Sequence, residues 1–424
     1  MTTAVRPGRY CAAVPKQRMA YTTILSTNYL AKALTLAETL QRHHPGARLT
    51  VLVIDSADAA HLAGIQQEGL DIVGTEVLGL PHRDVLRLAT IYDLVEFATA
   101  IKPLLLRAAL EGRLLEGAEQ AAYLDPDTYV TSPMAELSPD LEDSDGGILL
   151  TPHFLDPVPP DAELTEGHLL TVGVYNLGFC AVDRRALPFL EWWWGHLEHE
   201  CLWDPLSGLF VDQKWCDIGS VTFQARAWRH RGYNVSVANL HERPIVLDDA
   251  GYGIAGAEPG SVGDRLRLFH FHAFDTSRPE ELSTRLATST AHLRTEGTAI
   301  DHLCREYAAA LVAHEQALPA PLAYPYWTDT RGRRVSRQLR RAWRNEERRS
   351  SEPLPSPFLP EEADAYDSWR RRALKTEARE LMGDAAKSAR LALPEEYGRL
   401  RNRFPRLVGR LRGAATKNAD GIWQ

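Results

Sequence analysis

The stretch that decides the fold is Ala121-Ala-Tyr-Leu-Asp-Pro-Asp-Thr-Tyr-Val130. Its first four residues form a short run that is typical of a buried strand, and Asp125 and Asp127 follow directly. Such a strand carries two carboxylates at its carboxyl end, where both point to one side. Carboxylate oxygens are the ligands that hard divalent cations prefer. The stretch therefore predicts a metal site at a strand end, with a plain strand-end turn around Pro126 as the alternative.

The chain before this stretch alternates strand and helix patterns. Apolar residues at helical spacing predict a helix over 30–40, and the continuous apolar run 49–54 predicts a strand buried on both faces. The other predicted elements are strands over 21–26 and 72–78 and helices over 57–67 and 85–110, the last broken once at Lys102-Pro103. This order predicts a doubly wound α/β sheet, in which ligands bind beyond the carboxyl ends of the strands.

The middle of the chain has a different pattern. Short strand-like runs occur at 147–151, 172–175, 178–182, 234–238 and 266–272. A proline-rich loop over 152–160 and a helix over 187–200 separate them, which predicts a mixed sheet packed on the first half and a loop that covers a site. Because consecutive helix positions cannot all face one ligand, Trp192, Trp193 and Trp194 are expected to pack mainly in the core. Helical patterns follow over 280–317 and from 364 to about 391.

Six short elements occur in order between residues 20 and 275. They are Thr27-Asn28-Tyr29, Ala100-Ile-Lys102-Pro103, Asp125-Pro-Asp127, Tyr175-Asn-Leu-Gly-Phe179, Val211-Asp-Gln-Lys-Trp215 and Phe269-His-Phe-His-Ala-Phe-Asp275. With these elements the chain resembles the GT-A glycosyltransferases, particularly bacterial proteins related to family eight. In that family a Lys-Pro or Arg helix precedes the DxD strand, and an Asn-Gly-Phe-like strand, an Asp-Gln element and a metal-binding histidine follow it.

The resemblance implies an α/β fold of GT-A type with a helical C-terminal extension. A Rossmann-like nucleotide-sugar-binding sheet is expected to be fused to a mixed acceptor-side sheet. The catalytic domain would span 1–275, with a donor half over 19–130 and an acceptor half over 131–275. A helical region over 276–330 would pack on it, and 331–424 would form the basic, helical extension.

The resemblance also implies metal-dependent transfer of a sugar from a nucleotide-sugar donor, with a UDP-sugar favoured. The acceptor would be a glycan, a lipid-linked saccharide or a natural product. Two alternatives are a haloacid-dehalogenase-like phosphatase, with Asp248-Asp249 as an acidic metal pair, and a non-catalytic sugar-binding protein. The phosphatase pattern fails at Tyr129, where a Thr or Val belongs, and at the strand signals that precede Asp125.

The implied metal is Mn²⁺ or Mg²⁺. Asp127 is expected to bind it directly, and Asp125 to bind the metal or the donor. His270 and His272 lie on one face of the predicted strand, and a histidine nitrogen beside carboxylates suits Mn²⁺ better than Ca²⁺. The family alignment places its metal-binding histidine at position 270, so His270 is favoured over His272.

The remaining site residues are assigned to the donor and to catalysis. Lys102 would place a positive charge near the diphosphate or the sugar, with a solvated helix lysine as the alternative. Asp212 and Gln213 match the Asp-Gln element beneath the donor sugar, which slightly favours retention of the anomeric configuration over inversion with Asp212 as base. The other predicted donor contacts are Thr23, Ser26, Thr27, Asn28 and Asn176.

Composition narrows the class of protein. Five cysteines without C-x-x-C spacing are read as reduced thiols, and no apolar segment follows the basic N-terminus, so a cytoplasmic protein without signal peptide is expected. The first 330 residues contain 25 basic and 43 acidic side chains, whereas residues 331–424 contain 23 and 13.

The charge asymmetry leaves two interpretations of the tail. Nine arginines fall between Arg331 and Arg349, and a second basic run extends from Arg399 to Arg412. Nucleic acid is a poor partner, because the body is acidic and no recognition motif accompanies the arginines. The tail is expected either to fold back on the acidic body or to contact an anionic membrane surface at the inner face of the membrane. The pattern gives no oligomeric state.

Overall fold

The computed structural model describes residues 19–55, 62, 65, 67–159, 164–258, 260–278, 281–284, 296–320, 322–375 and 403. The predicted helix over 57–67 and the second basic run lie largely outside these residues, as does Cys11. The four described cysteines, Cys180, Cys201, Cys216 and Cys304, are buried and form no disulfide. Within the described part of the chain, no helix is long and apolar enough to cross a bilayer.

The described strands group into four sheets. They are β1 (Met19–Leu25), β2 (Leu49–Val53), β3 (Leu70–Val73), β4 (Gln120–Leu124), β5 (Thr128–Val130), β6 (Ile148–Pro152), β7 (Tyr175–Asp183), β8 (Trp203–Asp204), β9 (Leu209–Phe210), β10 (Arg226–Ala227), β11 (Val235–Ser236), β12 (Ile245–Asp248), β13 (Gly251–Ala255), β14 (Val262–Arg265) and β15 (Leu268–His270). The largest sheet has the order β10-β6-β7-β4-β1-β2-β3. Three smaller sheets have the orders β11-β15-β5, β12-β13-β14 and β8-β9.

The described α-helices cover or connect these sheets. They are α1 (Leu30–His43), α2 (His82–Ile91), α3 (Leu94–Ala100), α4 (Lys102–Leu110), α5 (Leu137–Glu142), α6 (Glu166–Val172), α7 (Leu187–Glu200), α8 (Gln213–Thr222), α9 (Ala299–Ala317) and α10 (Arg337–Glu347). Residues 363–375 are also helical.

The central sheet is mixed, with parallel pairing dominant. β1 pairs in parallel with β2 and β4, and β3 continues the parallel set beyond β2. β7 lies antiparallel between β4 and β6, so the strands of the middle of the chain extend the same sheet. Because every residue of β1, β2 and β4 is buried, this part of the sheet is covered on both faces. The α/β fold class is therefore as predicted.

Three local predictions were wrong. The strand predicted over 72–78 ends at Val73, because Gly74 and Gly79 flank a 3₁₀ helix over Thr75–Leu78 and Gly79 adopts φ 73°. The long helix over 85–110 is three helices, α2, α3 and α4, with breaks near Tyr92-Asp93 and at Ile101. Residues 166–172 form α6, and the strand predicted at 172–175 begins only at Tyr175.

The chain divides into two compact units. The first unit contains residues 1–82 and 94–324, and the second contains 83–93 and 325–424. In the second unit the guanidinium of Arg340 is buried and donates hydrogen bonds to the carbonyls of Ala89 and Tyr92. Arg337 forms an ion pair with Asp93 at 2.5 Å. The first basic run is thus packed with a short segment from the acidic part of the chain, while the predicted division at residues 275 and 330 stays a prediction.

Candidate active site

Asp125 and Asp127 occupy the tight connection between β4 and β5. The Asp125 amide donates to the carbonyl of Gly178 at 2.8 Å, and the Thr128 amide donates back to the Asp125 carbonyl at 3.0 Å. The hydroxyl of Tyr123 donates to Asp125 Oδ1 at 2.8 Å. These bonds hold both carboxylates at the carboxyl edge of the central sheet, where ligands bind in open α/β sheets.

His270 reaches the two carboxylates from another sheet. β15 pairs antiparallel with β5, which sets His270 opposite Thr128. Its Nε2 lies 3.1 Å from Asp127 Oδ1 and 3.7 Å from Asp125 Oδ2. One ligand atom from each residue lies within 4.8 Å of the other two, so the three residues form a possible metal site. His272, whose ring centroid is 5.8 Å from that of His270, is not in this cluster of described residues.

Asn234 fixes which nitrogen of His270 faces the carboxylates. Its Nδ2 donates to Thr151 Oγ1 at 2.9 Å and to the Asn176 carbonyl at 2.8 Å, so its Oδ1 is the acceptor. That oxygen lies 3.1 Å from His270 Nδ1. Nδ1 therefore carries a proton, and Nε2 is the nitrogen that would offer its lone pair to a cation in place of its contact with the carboxylates. Asn234 adopts φ 51°, a left-handed conformation that asparagine tolerates.

Gly178 makes room for the His270 ring. A Cβ at this position would lie 2.4 Å from both His270 Cε1 and His270 Nδ1. Real side chains do not approach one another so closely, so only glycine allows the imidazole to rest against β7. The glycine of the Asn-Leu-Gly-Phe segment is thus part of the site, a role that the sequence pattern did not indicate.

The pKa values of the three groups shift in different directions. Burial raises the pKa of Asp125. Burial also opposes ionisation of Asp127, but the charge and hydrogen bond of His270 together with Lys32 lower the Asp127 pKa below its usual value. Burial alone would lower the pKa of His270, and the negative charges of Asp127 and Asp125 raise it overall. These directions describe an ion pair between Asp127 and His270, in which the positive charge of the imidazole occupies the place that a bound cation would take.

A buried ion pair lies beside the cluster. Lys102 Nζ is 2.6 Å from Asp212 Oδ2, and both side chains are at most 3% exposed. Nζ also donates to the Leu177 carbonyl at 3.0 Å and lies 4.3 Å from the centre of the Tyr123 ring. Burial opposes the charge on Lys102, but Asp212 and Asp125 more than offset it and raise its pKa. Lys102 is not the solvated helix lysine of the alternative prediction.

Gln213 begins α8, directly after Asp212. Its Nε2 donates to the carbonyl of Val172 at 2.7 Å and lies 3.4 Å from His153 Nε2. The main chain of Asp212 is anchored by Trp193, whose Nε1 donates to its carbonyl at 3.1 Å. Trp193 is fully buried, and Trp192 stacks against Phe189, so the expected packing role of these tryptophans is confirmed.

The other predicted donor residues lie at or near the end of β1 and in β7. Thr27 is held by Asp55, which accepts hydrogen bonds from the Thr27 amide and hydroxyl. Ser26 donates to Asn28, while Thr23 is buried within β1. In β7, the Asn176 side chain accepts from the Gly178 amide at 2.9 Å. Their contacts with a donor stay predictions.

Sequence reasoning missed several residues of this region. Lys32, one turn after Tyr29 on α1, places Nζ 3.9 Å from Asp127 Oδ2 and 4.1 Å from the centre of the Tyr29 ring. Its spacing of three residues from Tyr29 on a predicted helix could have indicated that the two side chains are neighbours. Asn234 and Asp55 reach the site only through tertiary contacts, and no local pattern marks them.

The comparisons with known proteins give distant similarities. No family model matches the chain. The uncharacterized protein YfnF of Bacillus subtilis is 26% identical over 314 residues, which cover 70% of this chain and 94% of YfnF.

Solved structures of two named transferases are also similar. The galactosyltransferase LgtC in complex with donor and acceptor sugar analogs is 16% identical with a TM-score of 0.38, covering 69% of this chain and 96% of LgtC. The apo-form glycosyltransferase GlyE of Streptococcus pneumoniae is 14% identical with a TM-score of 0.36, covering 72% of this chain and 65% of GlyE. Because both TM-scores are below 0.5, the fold of this chain is assigned from its own sheet order.

Proposed function

We propose that this chain is a metal-dependent glycosyltransferase of GT-A type that uses a nucleotide-sugar donor, with a UDP-sugar favoured. The observation that carries the proposal is the convergence of Asp125, Asp127 and His270 at the carboxyl edge of the central sheet. The acceptor is a glycan, a lipid-linked saccharide or a small natural product. The six ordered sequence elements support the class of reaction, but they do not identify the sugar.

The side chains of Asp125, Asp127 and His270 offer ligand atoms that suit a divalent cation. Two carboxylates and an imidazole whose Nε2 faces them suit Mn²⁺ or Mg²⁺, and Mn²⁺ accepts a nitrogen ligand more readily. When bound, the cation would stabilise negative charge on the nucleotide leaving group. Lys32 adds a positive charge 3.9 Å from Asp127 Oδ2. The chain thus offers ligands for a cation and a further cationic group near a diphosphate.

Asp212 and Gln213 would serve different purposes. The Asp212 carboxylate is buried against the Lys102 ammonium, so it is poorly suited to take a proton from an acceptor hydroxyl. Gln213 would instead face the donor sugar and stabilise positive charge at its anomeric carbon. This division supports a retaining reaction.

The stereochemical outcome is the first prediction. NMR of the product anomer should show retained configuration, because Asp212, the candidate acceptor base, is paired with Lys102. An inverted product would contradict the role given to Gln213 and return the base role to Asp212.

The second carboxylate pair that the phosphatase alternative needs, Asp248-Asp249, does not support it. Asp248 lies on β12 and forms an ion pair with Arg265 at 2.6 Å, where both side chains are partly exposed.

A screen of UDP-, GDP- and TDP-sugars with Mn²⁺ tests the proposed function. A bound donor should raise the melting temperature by mass action, and the same donor should be turned over. A protein that binds and turns over none of them would contradict the proposal.

A further inference from the structure

The amide of Gln213 has neighbours that decide its orientation. A main-chain carbonyl can only accept, so the side-chain atom 2.7 Å from the Val172 oxygen must be Nε2. The second N–H of the same amide points to His153 Nε2 at 3.4 Å. Both amide hydrogens are therefore engaged. The amide oxygen, which accepts no hydrogen bond from the described residues, remains for a ligand.

His153 is suited to accept this hydrogen bond. Its main chain is anchored on both sides, because its amide donates to the Val174 carbonyl at 2.9 Å and its carbonyl accepts from Asn239 at 3.1 Å. Burial, together with nearby charges that include His168 and His270, lowers the pKa of His153 to about 3. The ring is thus neutral near pH 7. With Nε2 as the acceptor, its proton lies on Nδ1.

We infer that His153 is a positioning residue that holds Gln213 so that its amide oxygen, and not its NH₂ group, faces the donor sugar. The inference rests on the proposed glycosyltransferase function and deepens it. An oxygen lone pair stabilises a developing positive charge at the anomeric carbon, whereas an NH₂ group in that place would oppose it. If Gln213 lost its bond to His153, the amide would keep only the Val172 carbonyl as a partner and could turn about that one bond, so that its oxygen would no longer be held towards the sugar.

Two variants of His153 separate the hydrogen bond from the volume of the ring. His153→Phe keeps an aromatic ring and removes the acceptor, while His153→Gln provides a carbonyl that can accept from Gln213. We expect His153→Phe to lower kcat for the donor identified above by about 100-fold, with KM nearly unchanged, since misplacement of one group costs that order of rate. His153→Gln should recover most of kcat. Full kcat in His153→Phe, or a change in KM alone, would overturn the inference.

A double substitution and an NMR measurement complete the test. In a Gln213→Ala background, His153→Phe should cause no further loss of kcat, because the group that it positions is absent. A long-range ¹H–¹⁵N spectrum should show His153 neutral with Nε2 unprotonated, the signal being assigned by its loss in His153→Phe. A proton on Nε2 would overturn the inference. The spectrum does not depend on turnover, so an inactive wild type would contradict the proposed function while the spectrum still decides the hydrogen bond.

Discussion

At the scale of single residues, the candidate site depends on how closely His270 approaches the main chain of β7. Its ring occupies the space that any side chain at position 178 would need. Its Nδ1 is oriented by Asn234, and its Nε2 faces both carboxylates. Loss of an outer partner of this kind typically lowers metal affinity by about 10–100-fold.

Gly178→Ala should weaken Mn²⁺ binding by about 10–100-fold, because the new methyl group displaces the imidazole from its place beside Asp127. Titration calorimetry with Mn²⁺ measures the effect. Gly195→Ala is the matched control, since Gly195 lies in helix α7 with nothing within 4 Å of its added Cβ. Equal Mn²⁺ affinity in the two variants would contradict the arrangement.

The sequence predicted the residues that local patterns reveal. Asp125 and Asp127 end a recognisable strand, and Lys102 precedes a proline in a recognisable helix. Asn234 and Gly178 act through contacts with His270 from 36 and 92 residues away, which no local pattern contains. The burial of Lys102 was also hidden, because a lysine at a helix start is usually solvated.

At the scale of elements, the second unit depends on an arginine that caps a helix. The side chain of Arg340 donates to the carbonyls of Ala89, Thr90 and Tyr92 at the end of α2, and to that of Tyr326. The last carbonyls of a helix lack partners within the helix, so this guanidinium satisfies several of them at once.

Arg340→Met should destabilise the second unit by about 2–3 kcal/mol, because it leaves buried carbonyls without donors. Chemical denaturation followed by tryptophan fluorescence detects the change, since Trp343 and Trp369 lie in this unit and are buried. Arg349→Ala, at an exposed position in the same basic run, is the control and should change stability by less than about 0.5 kcal/mol. Similar losses in both variants would rule out the capping role.

Sequence patterns located helix α7 with its observed bounds but not the division of the helices over 82–110. Helical spacing continues across Tyr92-Asp93, so the local pattern gives no sign that residues 83–93 belong to another compact unit. The same limit applies to the basic run. Arg340 and Arg348 belong to the same run and are eight residues apart, yet Arg340 is buried and Arg348 is exposed.

At the scale of the whole molecule, ion pairs within the second unit account for part of the charge asymmetry of the chain. Arg337 pairs with Asp93, Arg87 with Glu347 at 3.3 Å, and Arg333 with Asp329 and Asp367. Part of the charge in the first basic run is thus neutralised by carboxylates of the same unit. Contact with an anionic membrane remains a hypothesis that depends chiefly on the second run, from Arg399 to Arg412.

Truncation after Leu322 should lower stability or solubility, because it removes most of the unit that packs with residues 83–93. Thermal unfolding and the soluble yield measure this effect. The membrane hypothesis instead predicts a stable truncated protein that still hydrolyses its donor but no longer co-sediments with anionic liposomes. If the full-length protein ignores such liposomes at low salt, the membrane hypothesis is wrong.

The central claim is that Asp125, Asp127 and His270 bind a cation required for sugar transfer. The most direct measurement is turnover of the donor found in the screen, with Mn²⁺ and with EDTA, for wild type, Asp127→Ala, His270→Ala and His272→Ala. We expect turnover only with Mn²⁺, its loss in the first two variants without unfolding, and a smaller effect of His272→Ala. Wild-type turnover that is unchanged in EDTA would contradict the metal-dependent mechanism.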